Sequence, residues 1–188
     1  TLTPETSNTM KHLFTALSLS VAALSAHATV YQSVAPQASA IQFSYGQMGV
    51  AMPGQFKRFD AQVHLDTTKP DAAQGSLRID LASIDTGSAE ADDEVVGKAW
   101  FNVKTYPKAT FTLQSLQAQG PGQYLATGQL SIKGRTHTLT APLKLSPKGL
   151  LSGNLVIKRA DYGIGEGMWS AFDVVANEIT VNFNLQLN

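Results

Sequence analysis

Apolar and polar residues alternate over most of the chain between Ser39 and Leu187, in short runs that end at Gly, Pro or charged positions. Alternation with a period of two places one face of a strand in an apolar interior and the other in water. The pattern therefore predicts an all-β fold, a single eight-stranded antiparallel barrel that can hold one small ligand. The predicted strands are 39–48, 56–65, 77–81, 109–116, 124–132, 136–145, 151–157 and 174–187.

Two features divide these runs. The dipeptide Pro53-Gly54 predicts a bend that ends the first long segment, because Pro lacks a backbone donor and Gly permits a tight reversal. The stretch Ser88–Val96 loses the alternation and carries four carboxylates next to a good helix cap, which favours a short helical insert. Such an insert, ended by Gly97, would place Trp100 and Phe101 at the mouth or flank of the barrel.

The beginning of the chain has the pattern of an export signal. Met10 is followed by Lys11-His12, by the apolar run Leu13–Leu24 and by the small-x-small motif Ala26-His27-Ala28. The run is too short to cross a bilayer of about 30 Å as a helix. We therefore predict an N-terminal extension and cleaved signal peptide over 1–28, cleavage after Ala28, one domain over 29–188, no membrane span after cleavage and a periplasmic location.

Composition excludes several classes of function. The chain has 14 Lys+Arg against 14 Asp+Glu, and the leader removes one of each, Lys11 and Glu5. This balance supplies no electrostatic footprint for nucleic acid or an anionic membrane surface. The absence of cysteine excludes a disulfide scaffold, a thiol enzyme and a Cys-ligated metal site. Partners should be recognised by shape and apolar contact.

Catalytic and metal-binding patterns are weak. His64 and His137 fall outside any paired-ligand spacing and are interpreted as surface or rim residues. The acidic run lacks the alternating ligand loop of a calcium site, and Gly163–Gly167 lacks the flanking strand and helix of a phosphate-binding loop. We expect no catalytic residue, no metal and no cofactor.

Seven short segments follow one another along the chain: Ser39-x-Ile41-x-Phe43, Gly54-Gln55-Phe56-x-x-Phe59, Ser83-Ile84-Asp85-Thr86-Gly87, Trp100-Phe101-Asn102, Tyr106-Pro107-x-Ala109-Thr110-Phe111, Gly128-x-Leu130-x-Ile132-x-Gly134-x-Thr136 and Arg159-x-Asp161-Tyr162-Gly163-Ile164-Gly165. In this order they resemble the YceI-like family of exported, lipocalin-like, polyisoprenoid-binding proteins. Gln47-Met48-Gly49-Val50 and Gly165-Glu166-Gly167-Met168-Trp169 are similar to one branch of that family.

The resemblance implies a lipocalin-like barrel around a long apolar channel, no enzymatic activity, and a prenyl ligand such as a quinone or a polyprenyl phosphate. The ligand-binding residues would lie on the apolar strand faces and in the two irregular segments. They are predicted to be Phe43, Tyr45, Phe59, Leu77, Ile79, Trp100, Phe101, Phe111, Leu130, Ile164, Trp169, Phe172, Ile179 and Phe183.

Three other functions stay open at this point. The cavity could take a fatty acid or fatty amide, or the barrel could be packed solid and act through its surface, for instance in a stress response. A lipocalin-like isomerase or hydratase would need Asp161 or Glu166 to face the cavity with a raised pKa. Homodimerisation is left open as well.

Overall fold

The computed structural model describes residues 28–188, so the predicted leader lies outside the described residues except for Ala28. The described part is mainly antiparallel β-structure with one α-helix, α1 (Ala89–Val95), and four short 3₁₀ helices. The strands are β1 (Val30–Tyr31), β2 (Val34–Gln47), β3 (Val50–Phe56), β4 (Phe59–Asp66), β5 (Gln74–Asp80), β6 (Ile84–Asp85), β7 (Lys108–Gly120), β8 (Gln123–Ile132), β9 (Arg135–Leu145), β10 (Leu150–Lys158) and β11 (Val175–Leu187). The 3₁₀ helices are Pro70–Ala72, Leu81–Ser83, Arg159–Tyr162 and Gly167–Trp169.

All eleven strands form one sheet in the order β1-β4-β5-β7-β8-β9-β10-β11-β2-β3-β6. The sheet curls so that β2 approaches β4, although no strand pair within residues 28–188 joins these two by a ladder. The prediction of a closed eight-stranded barrel is therefore wrong in detail. The all-β class is correct, but the molecule is a curled antiparallel sheet of eleven strands with two edges.

The first hairpin differs from its prediction. The chain reverses at Met48-Gly49, whose φ angles of 49° and 81° are those of a tight two-residue turn. Pro53-Gly54 is not a bend but lies inside β3, where Pro53 pairs with Ser44 and Gly54 pairs with Phe43. Pro is tolerated there because β3 pairs with β6 only at its last two residues, so Pro53 faces an open edge.

The start of the helix α1 has a local cause. Ser88 is its N-cap, and the Ser88 hydroxyl accepts a hydrogen bond of 3.4 Å from the amide of Ala91. Glu90 and Asp92 lie in the first turn, where carboxylates meet the positive end of the helix dipole. The helical insert is thus found at the predicted place.

The inner face of the curled sheet carries two apolar clusters at opposite ends. One cluster, around Leu65, Leu143 and Leu187, lies near β1 and the β9–β10 turn. The other, around Trp100, Tyr162 and Ile164, lies beneath the loops that precede β11 and follow α1. The space between and within these clusters is not filled by side chains, and it forms the cavity described next.

Candidate ligand-binding cavity

The inner face of the sheet encloses a cavity of about 620 Å³. Ligand pockets in proteins range over roughly 300–1,000 Å³, so this space suits a substantial organic molecule. Its lining residues on β11 run from Val175 to Leu185, a span of roughly 33 Å along the strand at about 3.3 Å per residue. Most of the side chains that line it are aliphatic or aromatic. The cavity is therefore long, apolar and hollow.

The structure brings most of the predicted binding residues to this cavity. They come from five strands and from the segments after α1 and before β11, which lie far apart in the chain. Those that line the cavity are Phe43, Tyr45, Leu77, Ile79, Trp100, Phe101, Phe111, Leu130, Ile164, Trp169, Ile179 and Phe183.

Two predicted residues lie elsewhere. Phe59, at the start of β4, packs against the apolar cluster around Leu65 but is not part of the cavity wall. Phe172 is 48% exposed, and its ring stacks on the guanidinium of Arg159 at 5.0 Å rather than facing the cavity. Phe172 belongs to an irregular segment, where strand alternation cannot predict the direction of a side chain.

Several lining residues were not predicted as binding residues. Ala126 and Ala141 form a cross-strand pair on β8 and β9 and face the cavity with small side chains. Phe56 also lines it, and its ring lies 5.3 Å from that of Phe43. The alternation already placed the two alanines inward, but their small size gave no reason to select them. Here a small side chain is what leaves the space open.

Polar lining residues concentrate near α1. Thr86 and Ser88 precede the helix, and Glu90 and Glu94 lie on it. Burial is the main cause that raises the pKa of Tyr45 above its ordinary value, and the nearby carboxylate of Asp92 adds to the effect. This end of the cavity combines hydroxyl groups with carboxylates that are exposed to solvent, and we therefore call it the mouth of the cavity.

A contact between α1 and the 3₁₀ helix Gly167–Trp169 lies at this end. The indole Nε1 of Trp169 donates a hydrogen bond of 2.9 Å to Oε1 of Glu94. The Trp169 ring also packs on Trp100, with ring centroids 5.5 Å apart. The 3₁₀ helix Gly167–Trp169 is thereby fastened to α1 across the mouth of the cavity.

Arg159 holds the same loop from inside. It is 1% exposed, and its guanidinium also stacks on Trp100 at 5.4 Å. Burial lowers the pKa of Arg159. All three of its nitrogens donate to backbone carbonyls of the loop and of early β11, namely those of Ile164, Gly165, Trp169, Ala171, Val175 and Ala176. These donors are fully used, so Arg159 organises the loop and has no free N–H for an anionic ligand.

The two carboxylates considered for catalysis lie outside the cavity lining. Glu166 is exposed and bridges Lys133 at 3.0 Å and Arg135 at 3.2 Å. Its hydrogen bond with Lys133 is the largest cause that holds the pKa of Glu166 below its ordinary value. The backbone carbonyl of Asp161 lies 3.1 Å from Nε2 of His137 on the outer surface. A general acid facing the cavity would need the opposite shift.

Other chemistry is sparse in the part of the chain that the structure describes. His64 and His137 are both exposed. Residues 28–188 contain no group of three His, Cys, Asp or Glu side chains arranged to hold a metal ion. Within the same range, no helix has the length and apolar character needed to cross a membrane.

An antiparallel sheet curled around a long apolar cavity defines an all-β protein with an internal space of ligand size. Residues 32–187 match the model of the YceI-like domain, and the chain belongs to this family. It is 27% identical over 145 residues to the UPF0312 protein of Ectopseudomonas mendocina, covering 72% of this chain and 76% of that protein. It is 33% identical over 110 residues to the UPF0312 protein of Yersinia pestis, and this match spans 57% of that protein.

Solved structures share the fold. Burkholderia cenocepacia BcnA is 37% identical with a TM-score of 0.79, covering 81% of this chain and 98% of BcnA. The Campylobacter jejuni YCEI protein is 22% identical with a TM-score of 0.65, covering 72% and 84%. A polyisoprenoid binding domain from Saccharophagus degradans is 20% identical with a TM-score of 0.62, covering 84% and 97%. At these identities the last two show the fold alone.

Proposed function

We propose that this protein is a lipid-binding protein whose cavity shelters a long apolar ligand, and that this ligand is a polyisoprenoid such as a prenyl quinone. The observation that carries the proposal is the enclosed cavity of about 620 Å³, whose wall is mostly aliphatic and aromatic. Membership of the YceI-like family supports it, as does the shared fold with a domain described as polyisoprenoid-binding.

The physical need for such a protein is clear. Each CH₂ group that is left in water costs about 0.8 kcal/mol, so a prenyl tail of some twenty carbons faces a penalty on the order of ten kcal/mol in an aqueous compartment. A cavity with an apolar wall removes most of this penalty. The protein would therefore act as a carrier or reservoir.

The wall suggests how the ligand lies. The tail would run past the strand residues Phe43, Phe111 and Phe183, and the head would meet Tyr45 and the α1 end. We propose all twelve predicted residues that line the cavity as contacts of the ligand. Phe59 and Phe172 are left out of this set because they do not line it.

The charges at the mouth favour an uncharged head group. Glu90 and Glu94 line the cavity there, and like charges repel a phosphate or a carboxylate. Arg159 is the cationic side chain of the lining, and its donors are already used by backbone carbonyls. A prenyl quinone, which accepts hydrogen bonds without a charge, fits this mouth better than a polyprenyl phosphate.

We propose binding rather than catalysis, because Asp161 and Glu166 lie away from the cavity lining and Glu166 is neutralised by Lys133 and Arg135. We also propose export to the periplasm. The motif Ala26-His27-Ala28 supports this, and the test is cell fractionation with N-terminal sequencing of the mature protein.

A large side chain placed inside the cavity tests whether the ligand binds there. Ala141 faces the cavity, whereas its neighbour Thr140 points outward and pairs with Thr127. We expect the wild-type protein, purified from a bacterial host, to carry an apolar ligand that native mass spectrometry detects and solvent extraction identifies. Ala141→Phe should lose the ligand, and the control Thr140→Phe should keep it.

The outcomes separate the alternatives. A prenyl quinone in the extract supports the proposal. A fatty acid or fatty amide in the extract would show that the cavity holds an unbranched ligand instead of a prenyl one. A wild-type protein that is free of ligand and does not bind prenyl quinones added in detergent would overturn it. The proposal would also be overturned if Ala141→Phe bound prenyl quinones as the wild type does.

A further inference from the structure

Three glycines on the inner face of the sheet each lie beneath a phenyl ring. At least one residue two positions away from each glycine lines the cavity, but the glycines are covered by the rings, so the rings form the wall at these places. The three pairs, each a glycine with the phenylalanine that covers it, are Gly54 with Phe43, Gly128 with Phe111, and Gly153 with Phe183.

In each pair the ring lies so close to the glycine that a Cβ atom on the glycine would overlap it. A Cβ atom at Gly153 would lie 2.5 Å from Cζ of Phe183, and one at Gly54 would collide with three atoms of the Phe43 ring. None of these three glycines has a positive φ. Backbone conformation therefore does not require glycine at these positions. Glycine is required because the ring occupies the space that a side chain would take.

A ring that lies over a glycine occupies the place of the missing side chain and leaves the centre of the cavity open. Phe43 shows this best, because it is flanked by Tyr45 at 6.0 Å and by Phe56 at 5.3 Å between ring centroids. The flanking rings block sideways movement along the wall. We therefore expect a side chain added at Gly54 to push the Phe43 ring towards the cavity.

The pairs line the cavity from different walls. Gly128 and Phe111 belong to β8 and β7, while Gly54 and Phe43 belong to β3 and β2 in the other half of the sheet order. Gly153 and Phe183 lie between them on β10 and β11. The free width between the walls thus depends on the three rings staying over their glycines.

We propose that these three glycine–phenylalanine pairs are specificity-determining residues that set the width of the cavity, and that this width admits a methyl-branched tail. The inference rests on the proposed lipid-binding function. An unbranched chain is slimmer than an isoprenoid chain of the same length, so a narrower cavity would reject the branched ligand first. In an apolar pocket a single misfitting methyl group changes affinity by roughly tenfold or more.

The experiment compares two alcohols, phytol and hexadecanol. Both are primary alcohols with main chains of equal length, and phytol adds methyl branches and one double bond beside the head group. Tryptophan fluorescence reports binding, because both tryptophans of the chain line the cavity. In Gly54→Ala we expect the affinity for phytol to fall by about tenfold or more and that for hexadecanol by about threefold or less. Adding Phe43→Leu to this variant should restore the ratio of the two affinities.

The control is Gly75→Ala. Gly75 itself lines the cavity, but its Cβ would meet Leu113 at an ordinary 3.4 Å and the carbonyl oxygen of Gln62 at 3.9 Å, so no ring is displaced. Gly153→Ala, whose nearest obstacles are the side chains of Phe183 and Leu143, repeats the test at a second pair. Gly128 is not used, because the carbonyl oxygen of Thr112 would lie 2.5 Å from its Cβ and the backbone would shift.

The possible results are distinct. If the wild type binds neither alcohol, the proposed function fails. If the wild type binds both but Gly54→Ala and Gly153→Ala leave the affinity ratio unchanged, or if Gly75→Ala changes it equally, the width inference is overturned and the function stands. If Gly54→Ala does not fold, Phe43→Leu alone decides, because removal of the ring should favour phytol over hexadecanol and an unchanged ratio would contradict the inference.

Discussion

The indole Nε1 of Trp169 and the carboxylate of Glu94 are joined by a hydrogen bond of 2.9 Å that connects two segments 75 residues apart. This bond lies across the mouth of the cavity and fastens the 3₁₀ helix Gly167–Trp169 to α1. A ligand that enters or leaves at this end must pass beside it.

We expect Trp169→Phe, which keeps a ring but removes the donor, to accelerate ligand release by about threefold to tenfold, the effect of one hydrogen bond to a charged group near the surface. Stopped-flow displacement of a bound prenyl quinone measures the rate. Glu94→Gln keeps an acceptor oxygen and should have a smaller effect. An unchanged rate in Trp169→Phe would show that this loop does not limit exchange.

Arg159 should contribute strongly to stability. Replacement by Met removes the donors of several backbone carbonyls beneath the loop, and we expect a loss of about 3 kcal/mol or more in the free energy of unfolding. Arg159→Lys should be intermediate, since an ammonium offers fewer donors without the planar fork. Urea denaturation measures both. A lysine variant as stable as the wild type would show that the carbonyl contacts contribute little.

Asp85 should give stability a dependence on acid pH. The Lys57 ammonium, at 2.9 Å, and then the Gly87 amide and Gln55 lower the pKa of Asp85 from 3.8 to about 2. A depressed pKa means that the bonded carboxylate stabilises the fold above pH 3.8, and that this contribution is lost as pH falls through about 2.

The stability advantage of the wild type over Asp85→Asn should therefore be present near neutral pH and disappear towards pH 2. Denaturation curves of both proteins at several pH values provide the measurement. Lys57→Met should remove the largest part of the same dependence. A difference between wild type and Asp85→Asn that does not vary with pH would contradict this assignment.

Tyr162 carries a hydroxyl group that has no hydrogen-bond partner within residues 28–188, although the side chain is 1% exposed. Its burial raises the pKa to about 12. Because an unpaired buried hydroxyl is unfavourable, we expect Tyr162→Phe to be neutral or to stabilise the fold by up to about 1 kcal/mol. Tyr162→Leu should destabilise it through lost ring packing against His137. A clear loss of stability in the phenylalanine variant would reveal a partner for the hydroxyl.

The sequence was informative wherever alternation was sustained. Each of the eight predicted strands corresponds to a long strand of the structure, although the boundaries shift by a few residues at most ends. The three strands that were missed are the two-residue β1 and β6, which are too short to show a period, and β3. The strand β3 was missed because Pro53-Gly54 resembles a turn, while the actual turn at Met48-Gly49 lacks Asn or Asp.

The dependence on sustained alternation also explains which of the predicted binding residues line the cavity. On strands, the position in the alternation decides which face a side chain occupies, and this is why Phe43, Phe111 and Phe183 could be placed inward. In the irregular segment before β11 no such period exists. The stacking of Phe172 on Arg159 and the bond from Trp169 to Glu94 depend on contacts with distant segments, which a local pattern does not encode.

The amino-acid pattern alone was sufficient for the all-β class, the inward faces of the strands and the short acidic helix, because each of these depends on neighbours within a few residues. Whether the interior is hollow was decided only in three dimensions. A cavity volume depends on the distances between strands that are not adjacent, and these follow from the curl of the whole sheet. At Gly54, Gly128 and Gly153 the tertiary structure also lets the rings lie over the glycines and keep the interior open.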